Sequence, residues 1–238
     1  MTNRIWIVCV LIMFVADSSK AQIKDLLNKA KNSAAVLSGE ESKVSAGLKE
    51  ALNHGISTAV DQLSAKNGYL ESSYKILIPK DAQLIIDKVK RVPGFEDVET
   101  KLIHQMNQAA EIAAKKATPI FVDAIQKMSF KDAKQILSGP DDAATIYLQT
   151  TSRKPLYDTF LPVIQSSLDE VNARTYWKSV VHAYNKIPLV KKLNPELDDH
   201  VNNKALDGLF GLIAVKEKGI RNDASQRTTE LLKSVFGK

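Results

Sequence analysis

Cysteine is all but missing from this chain. Cys9 is the only one, and it lies within the apolar stretch of residues 5–16. The rest of the chain therefore has no disulfide, no thiolate nucleophile and no sulfur-based metal site. Histidine is also scarce. His54, His104, His182 and His200 show no four-residue spacing on a helix and no His-Glu-x-x-His arrangement, which removes the common zinc-hydrolase pattern. Gly-x-Ser-x-Gly, the phosphate-cradling loop and the dinucleotide glycine pattern are all absent. The 10 glycines and 8 prolines form no run longer than a turn, so no linker splits the chain. There is no internal repeat and no low-complexity tract. Strand-like alternation is confined to residues 74–79, and a lone strand has no partner. The longest apolar run, residues 5–16, falls well short of the ~20 helical residues that a permanent bilayer span requires.

What is present begins at the N-terminus. Arg4 precedes the apolar run, and Ser19 and Ala21 place small residues at the −3 and −1 positions of a cut before Gln22. This pattern predicts a cleavable signal peptide over residues 1–21 and export of the remainder. Cys9 lies mid-run behind Trp6, Ile7 and Val8, so its spacing does not fit lipid attachment. The 238-residue chain carries a net charge of +6, and removing the leader leaves the excess basic. For an exported basic protein, anionic lipid surfaces or envelope proteins are the expected partners rather than nucleic acid. The short clusters around Lys88–Arg91, Lys115-Lys116 and Lys191-Lys192 read as solvated faces.

Apolar periodicity predicts an all-α fold, a single multi-helix bundle of about nine to eleven helices joined by short turns. A lead helix, part of an N-terminal segment over 22–41, should run over residues 23–37 and stop at Gly39. The main helical domain should occupy 42–238. Val44, Leu48, Leu52, Ile56, Val60 and Leu63 form one helical stripe, ended by Asn67-Gly68. Residues 74–79 read as an extended connector that tucks Ile76 and Ile78 into the core, with Asp81 capping the helix after it. Residues 95–117 form an alanine-rich helix, the candidate axis of the bundle. Thr118-Pro119 starts the next, and Ser129 caps a helix over 130–137. After Gly139-Pro140, Asp141 or Asp142 should cap a long helical stretch to about residue 171, punctuated by Pro155 and Pro162, with Pro162 kinking or restarting it. Helices over 174–186, 200–220 and 228–236 complete the chain.

No catalytic or metal constellation emerges locally, and no cofactor is implied. Asp198-Asp199 before His200 reads as the negative charge that a helix start favours, not as a metal site. His104 falls on the polar side of its helix. The polar residues that stand against their helical geometry are Asn107, Glu111, Asp207, Glu217 and Arg221, and Thr145 joins them as a candidate. Glu217 and Arg221 are four apart in the favourable order. Glu111, if covered on both sides, needs a partner such as Arg221 or a lysine. The group is expected either to form a semi-buried polar network or to line a ligand cleft.

Several segments resemble the exported bacterial family known as domain of unknown function 4197. They are Gly47-Leu48-Lys49-Glu50-Ala51-Leu52, Ile76-Leu77-Ile78-Pro79, Met106-Asn107-Gln108-Ala109-Ala110-Glu111 and Phe121-Val122-Asp123-Ala124-Ile125. Met128-Ser129-Phe130-Lys131-Asp132-Ala133, Ala143-Ala144-Thr145-Ile146-Tyr147 and Ala205-Leu206-Asp207-Gly208-Leu209-Phe210 follow. Ile220-Arg221 and Leu231-Leu232-Lys233-Ser234-Val235-Phe236 complete the set. The resemblance spans residues 42–236 and implies a helical, signal-bearing protein of the Gram-negative periplasm without an assigned reaction. In the family pattern an arginine follows the Thr-x-Tyr-aromatic segment; here Leu148 and Gln149 stand in those places. No catalytic residue carries over. The expected function is a binding or interaction module for an apolar or anionic lipid-like ligand. The alternative is a hydrolase or transferase using Glu111, Asp142, Asp207 and Glu217, which would require those carboxylates to share one cleft.

Overall fold

A computed structural model describes the backbone of residues 16–227 and 229–237, and side chains at 39, 41–227, 229, 230 and 232–237. The apolar part of the expected leader lies outside the described residues, apart from Ala16. The chain divides into two compact units, Met1–Ala46 and Gly47–Lys238. In the first, the described backbone is wholly helical, and Glu41, Ser42, Lys43 and Ala46 are exposed. It is the N-terminal portion of helix α1 (Ala16–Ser64). The expected stop at Gly39 does not occur. A Cβ at Gly39 would meet nothing, so no turn demands glycine there. An isolated helical glycine costs only about 1 kcal/mol, too little to end a helix unaided.

The second unit has helices and no strand among the described residues. It holds the end of α1, then α2 (Gln83–Val89), α3 (Val98–Ala114), α4 (Ala117–Gln126) and α5 (Phe130–Leu137). These are followed by α6 (Ala143–Asp169), α7 (Ala173–Asn185), α8 (Leu197–Asn222) and α9 (Glu230–Phe236). Two short 3-10 turns, Lys80–Ala82 and Ala224–Gln226, complete the order. No described helix is long and apolar enough to cross a membrane.

Leu48, Leu52, Ile56, Val60 and Leu63 of α1 are all buried in the core. The connector behaves as its alternation predicts. Ile76 and Ile78 are buried, and Leu77 between them is exposed. Asp81 makes no capping bond; its carboxylate pairs with Lys191 at 2.5 Å instead. Ser129 does cap α5. Its Oγ accepts from Asp132 N, and the Asp132 carboxylate accepts from Ser129 N, a reciprocal capping box. These bonds from Ser129 hold the Asp132 carboxyl below its ordinary value.

The hub is α6 rather than the alanine-rich helix. It packs against α3, α4, α5, α7 and α8. Leu148, Ser152, Leu156, Phe160, Ile164 and Leu168 recur every four residues along it, and all are buried. Pro155 and Pro162 fall off this stripe onto exposed positions, so α6 runs through both without a restart. Each proline leaves a carbonyl four residues earlier without its N–H partner, and those residues, Thr151 and Asp158, are exposed, where water can serve. Ala109, Ala110, Ala113 and Ala114 of α3 are fully buried, and their small side chains let α6 and α8 approach closely. The break after α3 comes at Lys115-Lys116, so Thr118-Pro119 lies inside the first turn of α4.

Candidate functional site

The buried polar residues collect at separate places, each tied to a specific backbone need. On α3, Asn107 faces the extended connector. Its Oδ1 accepts from Ile76 N at 2.8 Å, and its Nδ2 donates to Ile76 O at 2.9 Å. The side chain thus supplies the hydrogen bonds that a neighbouring strand would give Ile76. Nδ2 also donates to Ile103 O at 2.7 Å. One turn along, Glu111 accepts from Asn67 N at 3.1 Å, Tyr69 N at 3.2 Å and Leu70 N at 3.4 Å. Its partner is a cluster of loop amides, not Arg221 or a lysine. The turn that offers these amides requires a left-handed residue, and Asn67 adopts φ 64°.

Tyr69 is fully buried beneath that loop, and its hydroxyl donates to Ala205 O at 2.7 Å. Burial, reinforced by the Glu111 charge, holds its phenol far above the usual range. Gly208 on α8 admits the ring. A Cβ there would lie 3.0 Å from both Tyr69 Cε1 and Tyr74 Cβ.

The second cluster joins α5, α6, α8 and α9. Glu217 of α8 accepts from Ala144 N, Thr145 N and the Thr145 hydroxyl, each at 2.8 Å. It therefore caps α6 in place of the expected Asp141 or Asp142: the Asp142 side chain makes no capping bond, and Asp141 accepts from Asn222 Nδ2 at 3.0 Å instead. Arg221 holds the same carboxylate, with Nε at 3.0 Å and Nη2 at 2.8 Å from Oε1. Nη2 also donates to Ile136 O at 2.8 Å in the last turn of α5. The guanidinium lies over the Phe236 ring of α9, 5.5 Å from its centroid.

Asp207 joins neither cluster. It is exposed on α8 and pairs with Arg153 at 2.8 Å and Lys204 at 3.4 Å. Asp142 is exposed as well. Glu111, Asp142, Asp207 and Glu217 thus share no cleft, which removes the geometric requirement of the carboxylate-enzyme alternative. Among the described residues, no three His, Cys, Asp or Glu side chains gather as metal ligands.

A third buried polar group, at the start of α8, was not among the candidates. Gln165 Nε2 donates to Asp198 Oδ2 at 2.7 Å, and Arg174 lies 3.4 Å from the same oxygen. Asn202 Nδ2 donates to Tyr157 O at 2.9 Å. The Tyr157 hydroxyl donates to Asp199 Oδ1 at 2.6 Å, which, with burial, pushes the phenol up to about 12. The four-residue spacing of Asp198 and Asn202, flanking apolar Val201, was the available signal. His104 is exposed. His200 is half-buried, with Nε2 2.9 Å from Leu77 O, and burial lowers its proton affinity.

An open apolar groove lies elsewhere. It measures about 520 Å³ and lies between α3 and the α6–α7 turn. Phe95, Val98, Leu102, Val171, Ala173 and Tyr176 supply its apolar lining. The Phe95 and Tyr176 rings stack with centroids 5.8 Å apart and planes 14° from parallel. Left-handed residues set the chain at both sides: Gly94 at φ 88°, just before Phe95, and Asn172 at φ 56°, between Val171 and Ala173. Lys101 and Gln105 stand on the groove wall. Lys101 is exposed, and no carboxylate lies within 4.0 Å of it among the described residues.

Fold and buried polar groups together define a helical domain whose loops and helix ends are fastened by side chains from α3 and α8, with an apolar groove on its surface. The chain belongs to the family described as Protein of unknown function (DUF4197), whose model matches residues 38–237. No curated protein and no solved structure matches it.

Proposed function

We propose that this protein is an exported, non-enzymatic binding module of the Gram-negative periplasm that takes an anionic amphiphile, an acyl chain with an acidic head, into the groove beside Tyr176. The groove carries this assignment. Its aromatic and aliphatic lining suits an apolar chain, and exposed Lys101, which among the described residues holds no carboxylate in direct contact and feels the more distant charge of Glu96, suits the head group. Export rests on the signal-like leader over residues 1–21. The net charge of +6 favours anionic ligands over cationic ones.

Calorimetric titration with laurate, and with dodecylammonium as the charge-reversed control, tests the assignment. Laurate should bind and dodecylammonium should not. Lys101→Glu and Tyr176→Ala should each weaken laurate binding about tenfold, a 1.4 kcal/mol effect. Equal affinity for both amphiphiles, or laurate binding untouched by either substitution, would overturn it.

A further inference from the structure

The chain between α7 and α8 exposes the apolar residues at its tip, while Val190 is half-buried. Leu189 is 106 % exposed, and Ile187 is 48 % exposed. Pro188 between them is exposed too. Leu189 is also held at φ 63°, in the left-handed region that a leucine rarely adopts. A bulky aliphatic side chain thus stands in solvent in a disfavoured backbone conformation, unburied by any of the described residues.

The loop is not loose at its base. Asn185 Nδ2 donates to Leu193 O at 2.8 Å, and Asn185 Oδ1 accepts from Leu193 N at 2.9 Å. Leu193 is buried. Trp177 Nε1 donates to Asn194 O at 3.3 Å. Lys192 Nζ folds back to donate to the carbonyls of Asn185 and Ile187. The aliphatic tip is therefore mounted on a closed, hydrogen-bonded neck.

The loop's own charge has one sign. Lys186 precedes the tip, Lys191 and Lys192 follow it, and residues 186–195 contain no carboxylate. Lys192 donates to neutral carbonyls and has no carboxylate within 4.0 Å among the described residues, although Asp81, Glu196 and Asp199 line the same hollow. The pair between Lys191 and Asp81 is solvent-exposed on both sides and is easily exchanged. An aliphatic tip flanked by lysines matches a bilayer interface with acidic headgroups: the aliphatic side chains enter the acyl boundary while the ammonium groups stay among the phosphates. We infer that the 186–192 loop docks this protein onto the surface of an anionic phospholipid bilayer, with Leu189 as the inserted residue.

This inference is independent of the groove assignment, since it involves none of the groove residues. The test is flotation of the full chain with vesicles of phosphatidylcholine alone or mixed with an equal part of phosphatidylglycerol. The apolar leader, where retained, contributes to both vesicle types and to every variant, so the contrast isolates the loop. The parent should favour the mixed vesicles. Leu189→Ser and Lys186→Glu should each reduce the bound fraction about tenfold, while Val215→Ser, at an exposed aliphatic position on α8, should leave it unchanged. Leu189→Trp should show emission quenched by bromine-labelled acyl chains in mixed vesicles, above the signal of the parent. No preference for the acidic vesicles, parental binding by Leu189→Ser and Lys186→Glu, or a Leu189→Trp signal that matches the parent would overturn the inference. Crosslinking from position 189 to one envelope protein with no vesicle binding would overturn it too, and would assign the loop to a protein partner.

Discussion

At the residue scale, Asn107 does what no apolar residue of its size can. It serves both the N–H and the C=O of a buried peptide at Ile76. Asn107→Leu conserves volume but strands both groups away from water, so it should cost about 3 kcal/mol. Urea unfolding should show a lower midpoint with an unchanged slope. His200 gives a pH signature. Its folded proton affinity is lowered by burial and by Lys204, partly offset by Asp199 and by the Leu77 carbonyl. The unfolded chain, near the ordinary value of 6.5, therefore binds more protons at mildly acidic pH. Stability should be complete above that value and decline as pH falls through it toward the lower folded one. His200→Gln should flatten the decline between about pH 7 and pH 5, read from urea midpoints. The sequence marked Asn107 and Glu111 as polar residues out of register with their helix. It did not give Glu111's partners, because loop amides carry no side-chain signature. Asp207 shows the reverse error. A position at the edge of an apolar stripe can turn either way, and here it turns outward to Arg153.

At the element scale, helix ends were harder to read than helix bodies. Ser129 was legible because its capping partner, Asp132, is three residues away. The cap of α6 was not, because Glu217 reaches it from more than seventy residues along the chain. Glu217 satisfies α6 amides, and Arg221 balances the charge while holding the end of α5. Removing the arginine leaves a buried carboxylate uncompensated. Arg221→Met should therefore cost about 3 kcal/mol, and Glu217→Gln a comparable amount. The double variant should cost clearly less than the sum, because each single change strands the other partner. A thermodynamic cycle by chemical denaturation measures this, and additive costs would mean the two side chains act separately. The prolines of α6 teach the same lesson. Pro155 and Pro162 looked like interruptions in one dimension, yet both fall on the solvent side of a stripe that repeats every four residues.

At the scale of the whole molecule, periodicity gave an all-helical body but not its centre. The alanine seam of α3 is buried as expected, yet α6, long enough to meet five other helices, became the hub. Which helix is central depends on long-range packing that no local repeat encodes. Whether residues 1–21 act as a cleaved leader is the remaining whole-chain question, and the scarcity of cysteine makes it measurable. Cys9 is the only thiol, and it lies within residues 1–21. A chain that keeps its leader titrates one thiol after denaturation, and a processed chain titrates none. Protein recovered from an exporting Gram-negative cell should show no reactive thiol and an intact mass that begins at Gln22. Ala21→Pro, which places an unsuitable residue at the −1 position of the cut, should restore the thiol and move the protein into the membrane fraction. A full thiol count in the unaltered protein would make residues 1–21 a retained anchor. Vesicle binding would then have to be divided between that anchor and the Leu189 loop, which the Leu189→Ser and Lys186→Glu variants do directly.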